Sequence, residues 1–220
     1  MRKRKTNHEG RSIKRGRSVR ESDWIRVDQI RENVWRLKPK SVESGIDPSQ
    51  FEKIWPELSR CDKLDLCAAY AAKAQLSKQD EKILDFVIAN GDDVVWSSIA
   101  SVLTRHTDRQ RISAFLRNRI EEQEPPLANF FQAAEILKDT EAIPQLKKKY
   151  LQYQEAGVTS QYGDRVSCID LLSCSRALWT LTHSAEFGHT IEQFLDARDE
   201  IVRNFAKHCL TKREDSQALS

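Results

Sequence analysis

Apolar residues recur at the spacing of one helix face from Asp47 to Leu210, and this pattern limits the fold more than any other feature of the sequence. A clear example is the set Ile112, Phe115, Leu116 and Ile120, which stand at i, i+3, i+4 and i+8. That spacing is typical of a helix with one buried side. The 220 residues include 7 glycines and 6 prolines, which are too few for a turn-rich β fold. The sequence therefore predicts an all-α fold.

Polar residues and prolines mark where the predicted helices begin and end. Asp47 with Pro48 offers a cap followed by proline at the first helical position, and Ser77 with Asp80 has the form of a capping box. Asn90-Gly91 predicts a left-handed helix terminus, and the segment from Gly157 to Gly163 predicts one long loop. Further helix starts are predicted at Asp92, Asp108, Pro125-Pro126, Thr140, Ser184 and Asp199. These signals divide residues 47–211 into about five antiparallel helix pairs.

One frame of residues occurs twice. It is Asp199-x-x-Val202-Arg203-x-x-Ala206-x-x-Cys209-Leu210 near the end of the chain, and Asp92-x-x-Val95-Trp96-x-x-Ile99-x-x-Val102-Leu103 earlier. The frame resembles the first helix of a HEAT repeat, a unit of the armadillo-type fold. The terminal leucines of the first helices, Leu103, Leu137, Leu178 and Leu210, are 34, 41 and 32 residues apart. These steps are at or below the about 40–47 residues of HEAT and armadillo units.

The HEAT-like resemblance, which covers roughly residues 47–210, has three consequences for the expected structure. It implies a right-handed α-solenoid of stacked helix pairs. It implies that the second helix of each pair lines the concave side. It also implies that Asp199 and Arg203 bond between adjacent repeats as a structural ladder, without a catalytic role.

The first 20 residues differ sharply in charge from the remainder. They contain one acid, Glu9, and nine basic residues, which are Arg2, Lys3, Arg4, Lys5, Arg11, Lys14, Arg15, Arg17 and Arg20, for a net charge of +8. The other 200 residues carry 27 basic and 32 acidic side chains, a net charge of −5. Residues 1–20 therefore predict a disordered basic arm. The arm is interpreted as a solvated tail, as a grip on a nucleic acid, or as a nuclear-import address.

Two shorter segments flank the predicted repeat domain. Residues 21–46 contain scattered apolar side chains and are predicted to form a cover on the first repeat, because a stack of repeats needs its open end shielded. In the alternative interpretation, Trp24 or Trp35 is exposed and forms part of a binding surface. Residues 212–220 are polar and are predicted to form a flexible tail.

The sequence has no pattern typical of a catalytic or metal site. Glycine-rich phosphate loops and the Gly-x-Ser-x-Gly motif are absent, and the five histidines form no His-x-x-x-His pair. Five cysteines without a Cys-x-x-Cys motif are typical of free thiols in a reducing compartment. We therefore expect no cofactor and no metal. No apolar run approaches the about 20 residues of a membrane span, so we expect a cytoplasmic protein, or a nuclear one in a eukaryote.

Basic residues on the predicted second helices are the candidate binding residues. Arg105 belongs to the same region, and the candidates are Arg109, Arg111, Arg117, Arg119, Lys147, Lys148 and Lys149. Aligned on a concave side, they would form a positive groove for phosphates or an acidic protein. In the alternative interpretation they form a solvated face, diluted by neighbouring glutamates.

The function predicted from the sequence is a non-enzymatic scaffold whose concave surface binds another protein. The alternative is a nucleic-acid-binding protein that uses the basic arm and the positive groove. A third hypothesis is an enzyme similar to the alkylpurine DNA glycosylases, which have HEAT-like folds. Trp96 and Trp179 would then contact DNA in the groove.

Overall fold

A computed structural model of the chain describes residues 47–71 and 73–217. Within those residues the chain forms ten α-helices and three short 3₁₀ turns, without any strand. The predicted all-α fold is therefore confirmed. The segments predicted as a basic arm (1–20) and as a cover (21–46) lie outside the described residues.

The ten helices follow one another through short connections. They are α1 (Pro48–Ile54), α2 (Arg60–Ala71), α3 (Lys78–Asn90), α4 (Asp93–Leu103), α5 (Arg109–Glu122), α6 (Ala128–Leu137), α7 (Ile143–Glu155), α8 (Arg165–Thr182), α9 (Ala185–Glu192) and α10 (Glu200–Gln217). The 3₁₀ turns are Trp55–Glu57, Thr140–Ala142 and Gln193–Asp196. Because α10 continues to Gln217, the helix extends into the segment that the sequence predicts as a flexible tail.

Several helices begin at the side-chain caps that the sequence predicts. The carboxylates of Asp47, Asp92 and Asp108 accept hydrogen bonds from backbone N–H groups in the first turn of α1, α4 and α5. Ser77 and Asp80 form the reciprocal capping box of α3. These contacts satisfy N–H groups that have no partner within the helix, which is why short polar side chains are favoured there.

The predicted left-handed terminus at Gly91 is wrong, since this residue has a φ of −81°. Glycine is instead required at this position because a side chain would not fit. A Cβ atom at Gly91 would lie 2.7 Å from the carbonyl oxygen of Val87 and 2.8 Å from Nε1 of Trp96. The Trp96 indole N–H donates to the carbonyls of Val87 and Ile88 at 3.2 and 3.1 Å. The glycine therefore lets the Trp96 ring lie against the end of α3.

Two other predicted helix starts are displaced. Thr140 does not cap α7: it begins the 3₁₀ turn that leads into α7, and that turn is capped by Asp139, whose carboxylate accepts from the N–H of Glu141 at 3.2 Å. Pro125-Pro126, which has a cis peptide bond, precedes α6 but does not begin it. The residue at the cap position of α6 is Leu127, which has no side chain able to accept a hydrogen bond.

Alternate helices pack side by side. The series α2, α4, α6, α8 and α10 is continuous, since each member contacts the next. We call this series the first layer. Among the remaining helices, α1 contacts α3 and α5 contacts α7. The helices α3, α5, α7 and α9 also pack on helices of the first layer. We call α1, α3, α5, α7 and α9 the second layer. The largest buried side chains, Phe51, Phe130, Phe131, Phe187 and Phe194, belong to a core to which both layers contribute.

Candidate functional site

Three of the four basic residues of α5 contact neighbouring elements, two of them through ion pairs with acids. Arg111 forms an ion pair with Asp85 of α3. Arg117 donates to both carboxylate oxygens of Asp139, at 2.9 and 3.0 Å. Arg119 stacks 4.8 Å from the centre of a Trp96 ring. These three candidate groove residues therefore contribute contacts within the second layer or between the layers.

The lysines of α7 are less strongly held. Lys149 donates to the carbonyl oxygen of Gln123 at 3.0 Å, and the amine of Lys148 lies 3.5 Å from the carboxylate of Glu121. Arg109 and Lys147 are exposed and make no ion pair within the described part of the chain. The structure thus places the seven candidate residues on two helices in contact, α5 and α7, but five of them already have partners.

The starts of first-layer helices are linked by a recurring ion pair. Arg165, the first residue of α8, donates to Asp199, the cap of α10, at 2.8 Å. Arg60, the first residue of α2, lies 3.9 Å from Asp92, the cap of α4. In both places an arginine at one helix start reaches the aspartate at the next, so the linked helices run parallel with their starts on the same side of the layer.

Asp199 therefore bonds to a neighbouring helix pair, but Arg203 does not take the role that the resemblance implies. Its guanidinium donates to the carbonyls of Ala197 and Arg198 at 2.6 and 2.9 Å. Arg203 thus holds the turn that leads into its own helix. The predicted Asp199–Arg203 ladder is corrected to an Arg165–Asp199 contact.

Exposed apolar residues occupy one position of the recurring frame. Val94, Val166 and Ile201 each follow an aspartate cap by two residues, and their exposed fractions are 37%, 45% and 50%. Because this position lies in the first turn, the side chain stands at the same side of the layer as the Arg–Asp pairs. Three exposed apolar side chains thus share an equivalent place at the helix starts.

A cleft lies between the starts of α8 and α10. We call it the α8/α10 cleft. Its volume is about 240 Å³. The residues that line it are Thr159, Ser160, Gln161, Tyr162, Gly163, Arg165, Cys168, Ala197, Arg198, Asp199 and Val202. They come from the loop before α8, from the first turns of α8 and α10, and from the turn that precedes α10.

The cleft has an apolar floor and a polar wall. Cys168, Ala197 and Val202 are buried, and burial raises the pKa of the Cys168 thiol, so this cysteine remains neutral. On the wall, the hydrogen bonds from Arg165 lower the pKa of Asp199, which keeps that carboxylate ionised. A neutral thiol is a poor nucleophile, and the apolar floor and the ionised wall offer a ligand both apolar and polar contacts.

The most deeply buried carboxylate is one that the sequence analysis missed. Asp170, in the middle of α8, is 1% exposed. It accepts hydrogen bonds from the backbone N–H groups of Leu127 and Ala128 and from the hydroxyl of Tyr153, at 2.8 to 3.0 Å. Burial raises the pKa of Asp170, while these hydrogen bonds oppose the rise. Asp170 thus caps α6 from a different helix, because Leu127 cannot cap it locally.

The two tryptophans considered for DNA contact are both packed against the protein. The Trp96 indole N–H is bonded to the end of α3, and its ring is covered by Arg119. The ring of Trp179 lies so close to Gly188 that a Cβ added there would be 2.9 Å from it. Neither ring is presented to a groove as a stacking platform.

Metal, disulfide and membrane features are not found in the described ranges. Residues 47–71 and 73–217 contain no group of three His, Cys, Asp or Glu side chains that could hold a metal ion. Cys61, Cys67, Cys168 and Cys174 are not joined in disulfides within these ranges. None of the described helices combines the length and the apolar composition needed to cross a bilayer.

Comparison of the chain with protein-family models, with curated proteins and with solved structures finds no match in any of the three.

Proposed function

We propose that the chain is a non-enzymatic HEAT-like repeat module that binds another protein as an interaction scaffold. In this proposal the two layers form a right-handed solenoid of about five helix pairs. Rigid stacking of such pairs would preorganise an extended surface, so that little conformational entropy is lost on binding.

The packing of the helices supports the architectural part of the proposal. In a solenoid each repeat contacts its neighbours, and each first-layer helix here contacts the next one in the series. The Arg60–Asp92 and Arg165–Asp199 pairs join equivalent helix starts, which is the behaviour expected of a repeated unit.

The observation that carries the functional part is the row of exposed apolar side chains at the helix starts. Val166 and Ile201 occupy the same position after the aspartate caps of two helices whose starts are joined by the Arg165–Asp199 pair, and Tyr162, exposed by 73%, lines the cleft between those starts. Exposed apolar side chains and polar groups thus occur together at this side of the first layer, and both kinds of group are found in protein-binding surfaces. The concave surface with its basic residues remains a predicted second contact region.

A peptide-display experiment tests this function. The purified full chain is used to select peptides from a random library, and the selected peptides are then measured against the double variant Val166→Asp/Ile201→Asp. We expect the double variant to bind them at least about tenfold more weakly, because it places charge on an apolar contact. Ile136→Asp is the control, since Ile136 is also an exposed apolar residue, at 58%, but lies near the end of α6 and away from the helix starts.

Two results would contradict the proposal. One is a selection in which no peptide is enriched over a blank surface. The other is a set of enriched peptides that bind the double variant and the wild type equally well. Circular dichroism and urea unfolding of each variant establish that the substitutions leave the fold intact.

Nucleic-acid binding is the second candidate function, and the charge of residues 1–20 favours it. Nine basic residues against one acid would contact phosphates without sequence preference, and such binding weakens steeply with salt. Titration of labelled duplex DNA and RNA with the full chain, and with a chain lacking residues 1–20, tests this function. Binding that is lost with the arm supports it, and absence of binding at low salt excludes it.

A further inference from the structure

The size of the α8/α10 cleft limits what can occupy it. Its volume of about 240 Å³ is below the about 300–1,000 Å³ of pockets that enclose drug-sized ligands. The buried floor of Cys168, Ala197 and Val202 offers no charge and no strong hydrogen-bond donor. A single large apolar side chain suits this space better than a free polar metabolite.

The loop that forms one wall is ordered by its own hydrogen bonds. The Thr159 hydroxyl accepts from the N–H groups of Gln161 and Tyr162, at 3.3 and 3.1 Å. The N–H of Thr159 in turn donates to the carbonyl of Tyr162 at 2.6 Å. The backbone that carries Tyr162 is thus held beside the cleft before any partner arrives. A loop fixed in this way loses little backbone entropy on binding.

One of the positively charged side chains that line the cleft has no carboxylate partner in it. Arg165 and Asp199 neutralise each other at 2.8 Å. The third charged lining residue is Arg198, which is exposed. Within residues 47–71 and 73–217 its guanidinium makes no hydrogen bond or ion pair. A carboxylate of a partner would find an unpaired guanidinium here, and Arg is well suited to hold a carboxylate through two hydrogen bonds.

We propose that the α8/α10 cleft binds a segment of a partner protein in which a large apolar side chain is followed or preceded closely by an acidic residue. The apolar side chain enters the cleft beside Tyr162, and the carboxylate pairs with Arg198. This proposal rests on the protein-binding function above and specifies the chemistry of the partner. The chain's own residues 1–20 are a poor occupant, because their charge of +8 has the same sign as Arg198.

The test uses peptides selected by the full chain from the random library, resynthesised in matched pairs. One member of each pair keeps its acidic residues, and the other has lysine in their place. We expect the acidic peptides to bind the wild type about tenfold more tightly than their lysine partners. The variant Arg198→Glu should reverse this order. Lys207→Glu is the matched control, since Lys207, on α10, is also an exposed cation but is not among the residues that line the cleft, and it should leave the order unchanged.

The outcomes separate this proposal from the function on which it rests. Enriched peptides that depend on Val166 and Ile201 but are basic or neutral, and are indifferent to Arg198→Glu, would overturn the acidic partner and leave the binding function standing. The acidic partner would also be overturned if a chain lacking residues 1–20 bound the selected peptides much more tightly, since the basic arm would then be the occupant. A failure to enrich any peptide would overturn both proposals.

Discussion

The junction between α6 and α8 and the junction between α5 and α7 both contain polar contacts, but only the former places them out of reach of water. At the α6/α8 junction, Asp170 is almost completely buried and holds two backbone N–H groups of the α6 start. At the α5/α7 junction, the pair of Lys148 and Glu121 has both side chains more than half exposed. The comparison indicates that the α6/α8 junction is fixed by a buried group that solvent cannot replace, whereas the α5/α7 junction carries an ion pair that water can replace.

Removal of the Asp170 carboxylate should have the largest effect. Asp170→Ala would leave the N–H groups of Leu127 and Ala128 and the Tyr153 hydroxyl buried without an acceptor. We expect a loss on the order of 3 kcal/mol in the free energy of unfolding, measured by urea denaturation. Asp164→Ala, which removes the exposed cap of α8, is the control and should cost about 1 kcal/mol. Equal losses for the two variants would show that burial of the cap is unimportant.

The Arg117–Asp139 pair is intermediate in exposure between Asp170 and the Lys148–Glu121 pair. It therefore tests whether the stability lost with a polar contact depends on how deeply that contact is buried. Asp139 is 8% exposed, so Arg117→Ala would strand a nearly buried carboxylate. We expect a loss of about 2 kcal/mol in unfolding free energy. Arg111→Ala, which breaks a half-exposed pair on the same helix, should cost less than about 1 kcal/mol. A larger loss for Arg111→Ala would break the proposed dependence on solvent access.

The pH dependence of stability tests the burial of Asp170 through the variant Asp170→Asn, which keeps the size of the side chain and therefore creates no cavity. Because burial raises the folded-state pKa of Asp170, the folded protein takes up a proton at a pH at which the unfolded chain does not. The ionised group therefore reduces stability at neutral pH, and this penalty is relieved as the pH falls through the raised pKa. Relative to Asp170→Asn, the wild type should gain unfolding free energy as the pH falls from neutral towards the ordinary aspartate pKa of about 3.9. A constant difference over that range would contradict the direction of the shift.

The smallest effect on the free energy of unfolding is expected for the exposed Lys148–Glu121 pair. Lys148→Ala removes the pair with Glu121, whose partners are separated by 3.5 Å and screened by solvent. We expect a change of less than about 0.5 kcal/mol in unfolding free energy, and still less at high salt. A loss that approaches that of Arg117→Ala would mean that the second layer depends on its surface charges far more than their exposure indicates.

Much of the secondary structure could be predicted because its signals are local. The caps Asp92 and Asp108 and the capping box of Ser77 act on backbone groups within the next three residues, so sequence spacing alone identifies them. Gly91 shows the limit of this approach. Its requirement for a missing side chain comes from the nearby Trp96 ring, and a local rule assigned it to a left-handed terminus instead.

The candidate surface and the buried carboxylate depend on contacts between distant residues, which spacing does not contain. The Arg165–Asp199 pair joins residues 34 positions apart, and Asp170 bonds to residues 42 and 43 positions away. One signal for Asp170 was present, because an acid stands in the apolar run of α8 and the start of α6 lacks a local polar cap. The exposure of Val166 and Ile201 could not be predicted, since apolar residues in a helix are expected to face the core.

The cap that Asp170 provides for α6 also has a consequence for how the protein opens. A helix capped by its own neighbours in sequence can fray and re-form alone, whereas α6 loses its cap whenever α8 separates from it. The amide hydrogens of Leu127 and Ala128 should therefore exchange with solvent at the rate set by the opening of α8. The two helices would form a single cooperative unit near the middle of the stack. This unit would stay folded while the helices at the ends of the stack open locally.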